Sequence, residues 1–253
     1  MKKIVILCSI TCFSMIRSID ACTAFQLQSE DGAHIYSRSM EFGFPLESDV
    51  LIVPRDTEYT GTAPGNKPGL KWKVTYGYVG MNQQIMPTLV SDGMNEKGLV
   101  VGCLYLPGFA QFEKPDPKKT EKTLGSSELC SFLLGTCATV SEVKEMLPKI
   151  LVAEVPVHGM ENFVLPLHYY ICDQTNEVLI VEYVNGERQM YVNQSGVLTN
   201  SPPLDWHLFN LPNYTNLSPV NAPPIDFGNW KVENPSQGTG LLGIPGDYTA
   251  PSR

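Results

Sequence analysis

The sequence predicts an α+β domain dominated by antiparallel strands, and three features predict it. Two hairpin signals, Asp31-Gly32 and Asn185-Gly186, each stand between runs of strand-forming residues. Helical patterning is confined to residues 127–150. From Ser201 onward Pro202, Pro203, Pro212, Pro219, Pro223, Pro224 and Pro235 break up the chain and leave room for one short helical turn at 204–211.

In chain order, residues 22–29 and 34–42 read as two strands around Asp31-Gly32. A two-residue turn there sets Cys22 opposite Glu41, with β-carbons roughly 5 Å apart. The same register sets Arg38 opposite Phe25, on the face away from Cys22. Further strands are expected at 49–54, 71–79, 86–91 and 98–105, then at 167–172, 177–184 and 188–193, the last two joined by Asn185-Gly186. Helices are expected at 127–136 and 140–150. Thr139 and Glu142 form a capping box at the start of the second, and Pro148 limits its end. The Pro-rich tract is expected to be ordered, because Trp206, Phe209, Tyr214, Phe227 and Trp230 are too many aromatics for a disordered segment.

The N-terminus reads as an export signal. Lys2 and Lys3 precede an apolar run from Ile4 to Ile16, and Ala21 suits the position before a cleavage site, although Ile19 is larger than usual two residues earlier. The run is shorter than the ~20 apolar residues of a membrane span. Residues 1–21 are therefore expected to be a secretory signal and residues 22–253 one domain, periplasmic or secreted. Cleavage removes three cations and one anion, and moves the net charge from −8 to −10. A domain this acidic is a poor partner for nucleic acid or anionic membrane.

Cleavage after Ala21 would give Cys22 a free α-amino group, which brings a nucleophile and a base together on one residue. A thiol of pKa ~8.5 beside an amine of pKa ~7.7–8.0 can pass its proton to that amine near neutral pH, with no histidine required. Four other cysteines remain, Cys103, Cys130, Cys137 and Cys172, so at least one thiol is unpaired within the monomer. No CxxC spacing occurs. His34, His158, His168 and His207 lack metal-ligand spacing and read as surface or satisfied core residues. No cofactor or metal is expected.

Six motifs in order across the mature chain resemble the choloylglycine hydrolase and penicillin V acylase family of N-terminal-nucleophile amidases. They are Cys22-Thr23, Ser37-Arg38-Ser39-Met40-Glu41-Phe42, Asn95-Glu96-Lys97-Gly98-Leu99, Leu104-Tyr105-Leu106-Pro107-Gly108, Leu198-Thr199-Asn200-Ser201-Pro202 with Asp205-Trp206-His207-Leu208, and Gly243-Ile244-Pro245-Gly246-Asp247 with Pro251-Ser252-Arg253. The resemblance implies a four-layer αββα sandwich of two antiparallel sheets between helices. It implies that Cys22 attacks a linear amide to form a thioester, with Arg38 and Arg253 beside the thiol. Glu41, where the family usually has Asp, would orient the amine. Asn200 and the backbone N–H of Tyr105 would form the oxyanion hole, and Asn95 would support the site. Tyr105 tilts the expected substrate toward an aryl- or fatty-acyl amide.

Arg38 needs a bulge or a strong twist to reach the thiol from the register above. The chain stops at the last matching residue, whereas family members continue, so the domain is expected to be incomplete at its C-terminus. Two rival readings stand beside the amidase. Ile19-Asp20-Ala21-Cys22 resembles a lipoprotein box, which would make the protein an envelope anchor or binding protein acylated at Cys22. The other rival is an inactive, truncated remnant. The expected partner is a small N-acyl amide, and homo-oligomerisation is left open.

Overall fold

The computed structural model describes residues 21–41, 45–157, 163–215 and 223–232. The first half carries β1 (Ala21–Gln28), β2 (His34–Glu41), β3 (Val50–Val53), β4 (Glu58–Ala63), β5 (Lys67–Lys73), β6 (Tyr78–Met81), β7 (Asp92–Asn95), β8 (Val100–Tyr105) and β9 (Thr123–Gly125). Helices α1 (Leu129–Thr136) and α2 (Val140–Met146) follow. Next come β10 (Leu151–Ala153), β11 (Leu167–Cys172), β12 (Val178–Val184), β13 (Glu187–Val192), β14 (Val197–Thr199), helix α3 (Leu204–Asn210), β15 (Ile225–Phe227) and β16 (Trp230–Val232).

Seven strands form the larger sheet, in the order β13-β12-β11-β8-β7-β6-β3, and β14-β1-β2 form a smaller one. Both faces of the large sheet are covered, which is why β8 and β11 read as nearly continuous apolar runs. On one face Leu99, Val101, Tyr169 and Val181 pack with Leu129 and Leu133 of α1 and with Val140 and Val143 of α2. On the other, Val100, Leu104, Tyr170 and Ile180 meet Cys22, Ala24 and Leu198 of the small sheet. The result is an α+β sandwich, as the sequence predicts.

The β1–β2 hairpin corrects the expected register. Cys22 pairs with Met40, Ala24 with Arg38, and Ala21 with Glu41. The loop holds three residues instead of two. Gly32 N–H donates to the Ser29 carbonyl at 2.9 Å and Ser29 N–H to the Ala33 carbonyl at 2.9 Å, while Gly32 takes φ +86° to close the turn. One extra loop residue shifts the pairing by one, and Arg38 moves onto the same face as Cys22. No bulge is needed. The Asn185-Gly186 turn is as expected, with both residues at positive φ and Val184 paired with Glu187.

Other expectations are revised. Residues 86–91 form turns instead of a strand, where Pro87 cannot donate and the N–H groups of Met86 and Leu89 turn back to Gln83 and Met86. The span 71–79 splits between β5 and β6, and β4 was not expected. Helix α2 ends at Met146, and Pro148 lies in the 3-10 turn that follows. Thr139 Oγ1 caps the Glu142 N–H at 3.2 Å, but the Glu142 carboxylate accepts from Ala138 N–H instead of closing the box on Thr139.

Asn95 anchors the β7–β8 turn to the end of α1. Its Nδ2 donates to the Leu134 and Cys137 carbonyls at 2.9 and 2.7 Å, and its Oδ1 accepts from Lys97 and Leu99 N–H at 3.0 and 3.1 Å. All four hydrogen-bonding positions of the amide are used. Asn95→Ala orphans four backbone groups in a buried setting and is expected to cost roughly 3 kcal/mol or more in urea unfolding.

Candidate active site

Cys22 is 2% exposed, and its side chain closes on a cavity of about 20 Å³ shared with Arg38, Met40, Gln83, Met86, Cys103, Tyr105, Leu165 and Leu167. That space holds about one water molecule. Burial pushes the Cys22 thiol above its ordinary value. The Arg38 charge and hydrogen bond, with a backbone hydrogen bond at Glu41, pull it down without cancelling the rise. In peptide linkage to Ala21 the sulfur is therefore held as a thiol at neutral pH.

Arg38 reaches from the small sheet to the large one. Its Nη1 donates to Asp92 Oδ2 at 2.6 Å and to the Cys103 carbonyl at 2.7 Å, and its Nε to the Ser39 carbonyl at 3.3 Å. Tyr36, on the same face of β2, donates from its hydroxyl to Asp92 Oδ1 at 2.7 Å. Gly102 of β8, paired with Asp92, makes this approach feasible: a β-carbon there would lie 2.3 Å from the Tyr36 hydroxyl and 2.5 Å from Asp92 Oδ1. Burial raises the Asp92 carboxyl to about 6, against the lowering influence of Arg38 and Tyr36. Burial and the Asp92 charge push the Tyr36 phenol well above its ordinary value, so it remains a donor.

β14 brings the remaining groups alongside. Thr199 pairs with Thr23, and its hydroxyl donates to the Cys22 carbonyl at 3.0 Å. Carrying that register one residue further sets Asn200 across from Cys22. At β8, Leu106 N–H donates to the Pro166 carbonyl at 2.7 Å, so the antiparallel alternation turns Tyr105 N–H toward the opposite edge, where Cys103 N–H meets the Ser91 carbonyl.

Of the residues read from the sequence, Cys22, Arg38 and Tyr105 share one cavity, and Asn200 follows directly on Thr199, which pairs with Thr23. Glu41 stands across from Ala21 instead of Cys22. Asn95 is not brought to the thiol, because its amide is consumed by the turn and by α1. Arg253 and His158 lie outside the described residues. Asp92 was missed. Asp92-Gly93 has the letters of a hairpin turn, yet it lies inside β7, where a β-carbon on Gly93 would meet the Val79 carbonyl at 2.7 Å. The five described cysteines are all buried and unpaired.

The 79–87 loop supplies Gln83 and Met86 to the thiol cavity. A roomier cleft, about 860 Å³, lies between the tip of the β1–β2 hairpin and β3, β6 and β7. It touches Tyr36 and Asp92 but not Cys22. The smaller cavity is the candidate site because the Cys22 thiol, with Arg38 and Tyr105, lines it.

The family model for linear amide C–N hydrolases of the choloylglycine hydrolase family matches residues 22–253, beginning at the cysteine. The chain is 34% identical over 236 residues to a bile salt hydrolase/transferase of Clostridium perfringens (strain 13 / Type A), covering 92% of this chain and 69% of that protein. A solved structure of a conjugated bile acid hydrolase variant from Clostridium perfringens superposes with TM-score 0.72 at 30% identity, over 90% of this chain and 68% of that one. A penicillin V acylase structure from Agrobacterium tumefaciens gives TM-score 0.66 at 28% identity, over 78% and 57%.

The Asp92 carboxyl is raised from 3.8 to about 6, so the folded state binds this proton more tightly than the unfolded one. Its stabilising contribution is full below about pH 4 and is lost as pH rises through about 6. Urea unfolding from pH 4.5 to 7.5 is expected to show wild type losing on the order of 2 kcal/mol relative to Asp92→Asn across that window. The opposite sign would mean that attraction to Arg38 outweighs burial.

Proposed function

The chain belongs to the choloylglycine hydrolase family of linear amide C–N hydrolases, and from that premise we propose that it is exported, trimmed after Ala21 and active as an N-terminal-cysteine amidase on N-acyl compounds. The observation that carries this reading is the convergence of Cys22 and Arg38 on one face and one cavity, with Asn200 on the neighbouring strand. The leader pattern supports a periplasmic or secreted location, and the family match beginning at residue 22 supports the cleavage point.

In this mechanism the Cys22 thiol passes its proton to its own α-amine, and the sulfur attacks the acyl carbonyl carbon. Asn200 Nδ2–H and Tyr105 N–H donate to the oxyanion. Losing one such donor typically costs ~2.7–4 kcal/mol of barrier. As the C–N bond breaks, the leaving amine takes the proton back from the α-ammonium. Water then attacks the thioester with the α-amine as base, which releases the acid and restores the thiol. Arg38, fixed by Asp92, favours the thiolate. Glu41, across from Ala21, is suited to orient the freed amine, and Arg253 is proposed to stand beside the thiol.

The names of the relatives speak of bile salts, bile acids and penicillin V. For this chain we assign an apolar aryl- or fatty-acyl amide, because Met40, Met86, Leu165 and Leu167 surround the thiol. The lipoprotein reading is disfavoured, since Asp20 fits a lipoprotein box poorly.

Mass spectrometry of the processed protein is expected to find Cys22 at its N-terminus. Cys22→Ala in that protein should lose about 10⁴-fold or more in turnover on a panel of phenoxyacetyl, fatty-acyl and bile-acid amides. A chain with one extra residue ahead of Cys22 should keep its thiol and lose turnover. Hydrolysis that survives either change would sink the mechanism.

A further inference from the structure

The segment between β14 and α3 carries Asn200, and four ties hold it. Thr199 donates to the Cys22 carbonyl at 3.0 Å, and His207 Nε2 lies 3.2 Å from the Asn200 carbonyl. Ser201 Oγ donates to the Pro107 carbonyl at 2.7 Å. The fourth tie comes from the large sheet, where the Glu182 carboxylate of β12 accepts the Leu204 N–H at 3.1 and 3.2 Å. Helix α3 has Pro203 at its N-cap and no capping side chain of its own, so Glu182 supplies the cap from another strand.

Glu182 is itself held by His168 on β11, with Nδ1 at 2.9 Å from Oε1 and both side chains 0% exposed. Burial lowers the His168 pKa, against Glu182, which raises it, while the nearby His207 and Arg38 charges lower it further. The imidazole is therefore neutral, and its Nδ1–H donates to the carboxylate. Its Nε2 is buried with no partner. Hydrophobic burial alone would favour an apolar pair here, since a buried carboxylate and a half-satisfied imidazole both carry a desolvation cost.

We propose that His168 and Glu182 are positioning residues for the amide hydrolysis: by pinning the first turn of α3 they fix where the Asn200 side-chain amide stands relative to Cys22. This rests on the oxyanion role assigned to Asn200. His168 orients Glu182, Glu182 fixes Leu204 N–H, and the Asn200–Pro203 connection, tied at its other end to the Cys22 carbonyl through Thr199, is held under constraint from both sides. Neither side chain touches the reacting atoms.

Glu182→Gln tests this with little change in volume. In the variant the charge is lost, an NH₂ group replaces Oε2 and faces the Leu204 N–H, and the single neutral Oε1 must serve His168 and Leu204 together, so the tie to α3 is the one that weakens. In the processed full-length protein, kcat is expected to fall about 10- to 100-fold with KM changed less than about 2-fold, the effect of a small misplacement of a catalytic group. The rate of Cys22 alkylation by iodoacetamide should not change. Added to Asn200→Ala, Glu182→Gln should cost nothing further in kcat, because both remove one function. The double replacement His168→Leu with Glu182→Met, which removes both buried polar groups together, should fold and show the same kcat loss. Hydrogen exchange by mass spectrometry gives a readout without activity: Glu182→Gln should raise exchange across 199–210 about tenfold and leave β8 and α1 unchanged. A wild type that hydrolyses no N-acyl amide would defeat the proposed function, and the exchange arm would still decide the positioning. Additive losses with Asn200→Ala, wild-type kcat in the double replacement, or unchanged exchange at 199–210 would each overturn it.

Discussion

Arg38 crosses from the small sheet to Asp92 on the large one at 2.6 Å, and the two sheets close around that ion pair. Both side chains are about nine-tenths buried. A pair so removed from water is stabilising only when its remaining hydrogen-bonding positions are also filled. Here Tyr36 and the Cys103 carbonyl fill them, and the absence of a side chain at Gly102 leaves the room. Everything near the thiol inherits its place from this contact. β2 delivers Arg38, β1 is fixed to β2 by register, and Cys22 therefore opens beside a guanidinium that cannot swing away.

The cost of that arrangement is visible in the same residues. Asp92 resists ionisation because it is buried, yet Arg38 needs its negative charge. The fold therefore holds an unfavourable carboxylate in place to fix a cation next to the Cys22 thiol, the kind of local conflict that accumulates at functional sites. The His168–Glu182 pair behind α3 follows the same pattern on the other flank.

Much of the sandwich was legible from single letters. Asn185-Gly186 specified its turn because both residues tolerate positive φ, and the apolar runs of β8 and β11 announced strands covered on both faces. Cys22 drew notice because a leader-like pattern runs up to it, and the family match begins at the same residue. The misses have physical causes. Asp31-Gly32 and Asp92-Gly93 carry the same dipeptide, yet one closes a three-residue loop and the other sits within a strand, because tertiary contacts decide what glycine's freedom is used for. Arg38 was expected on the wrong face for want of one loop residue, since strand parity turns an error of one into an error of side. Asp92 and Glu182 act through partners on distant strands, and no local spacing carries that information.

All five described cysteines are buried, and none forms a crosslink. The sandwich is consequently held by packing and polar contacts that are blind to the thiol–disulfide poise of its surroundings. A reductant has no described bridge to cut. With every described sulfur buried, oxidants meet no exposed thiol among the described residues either.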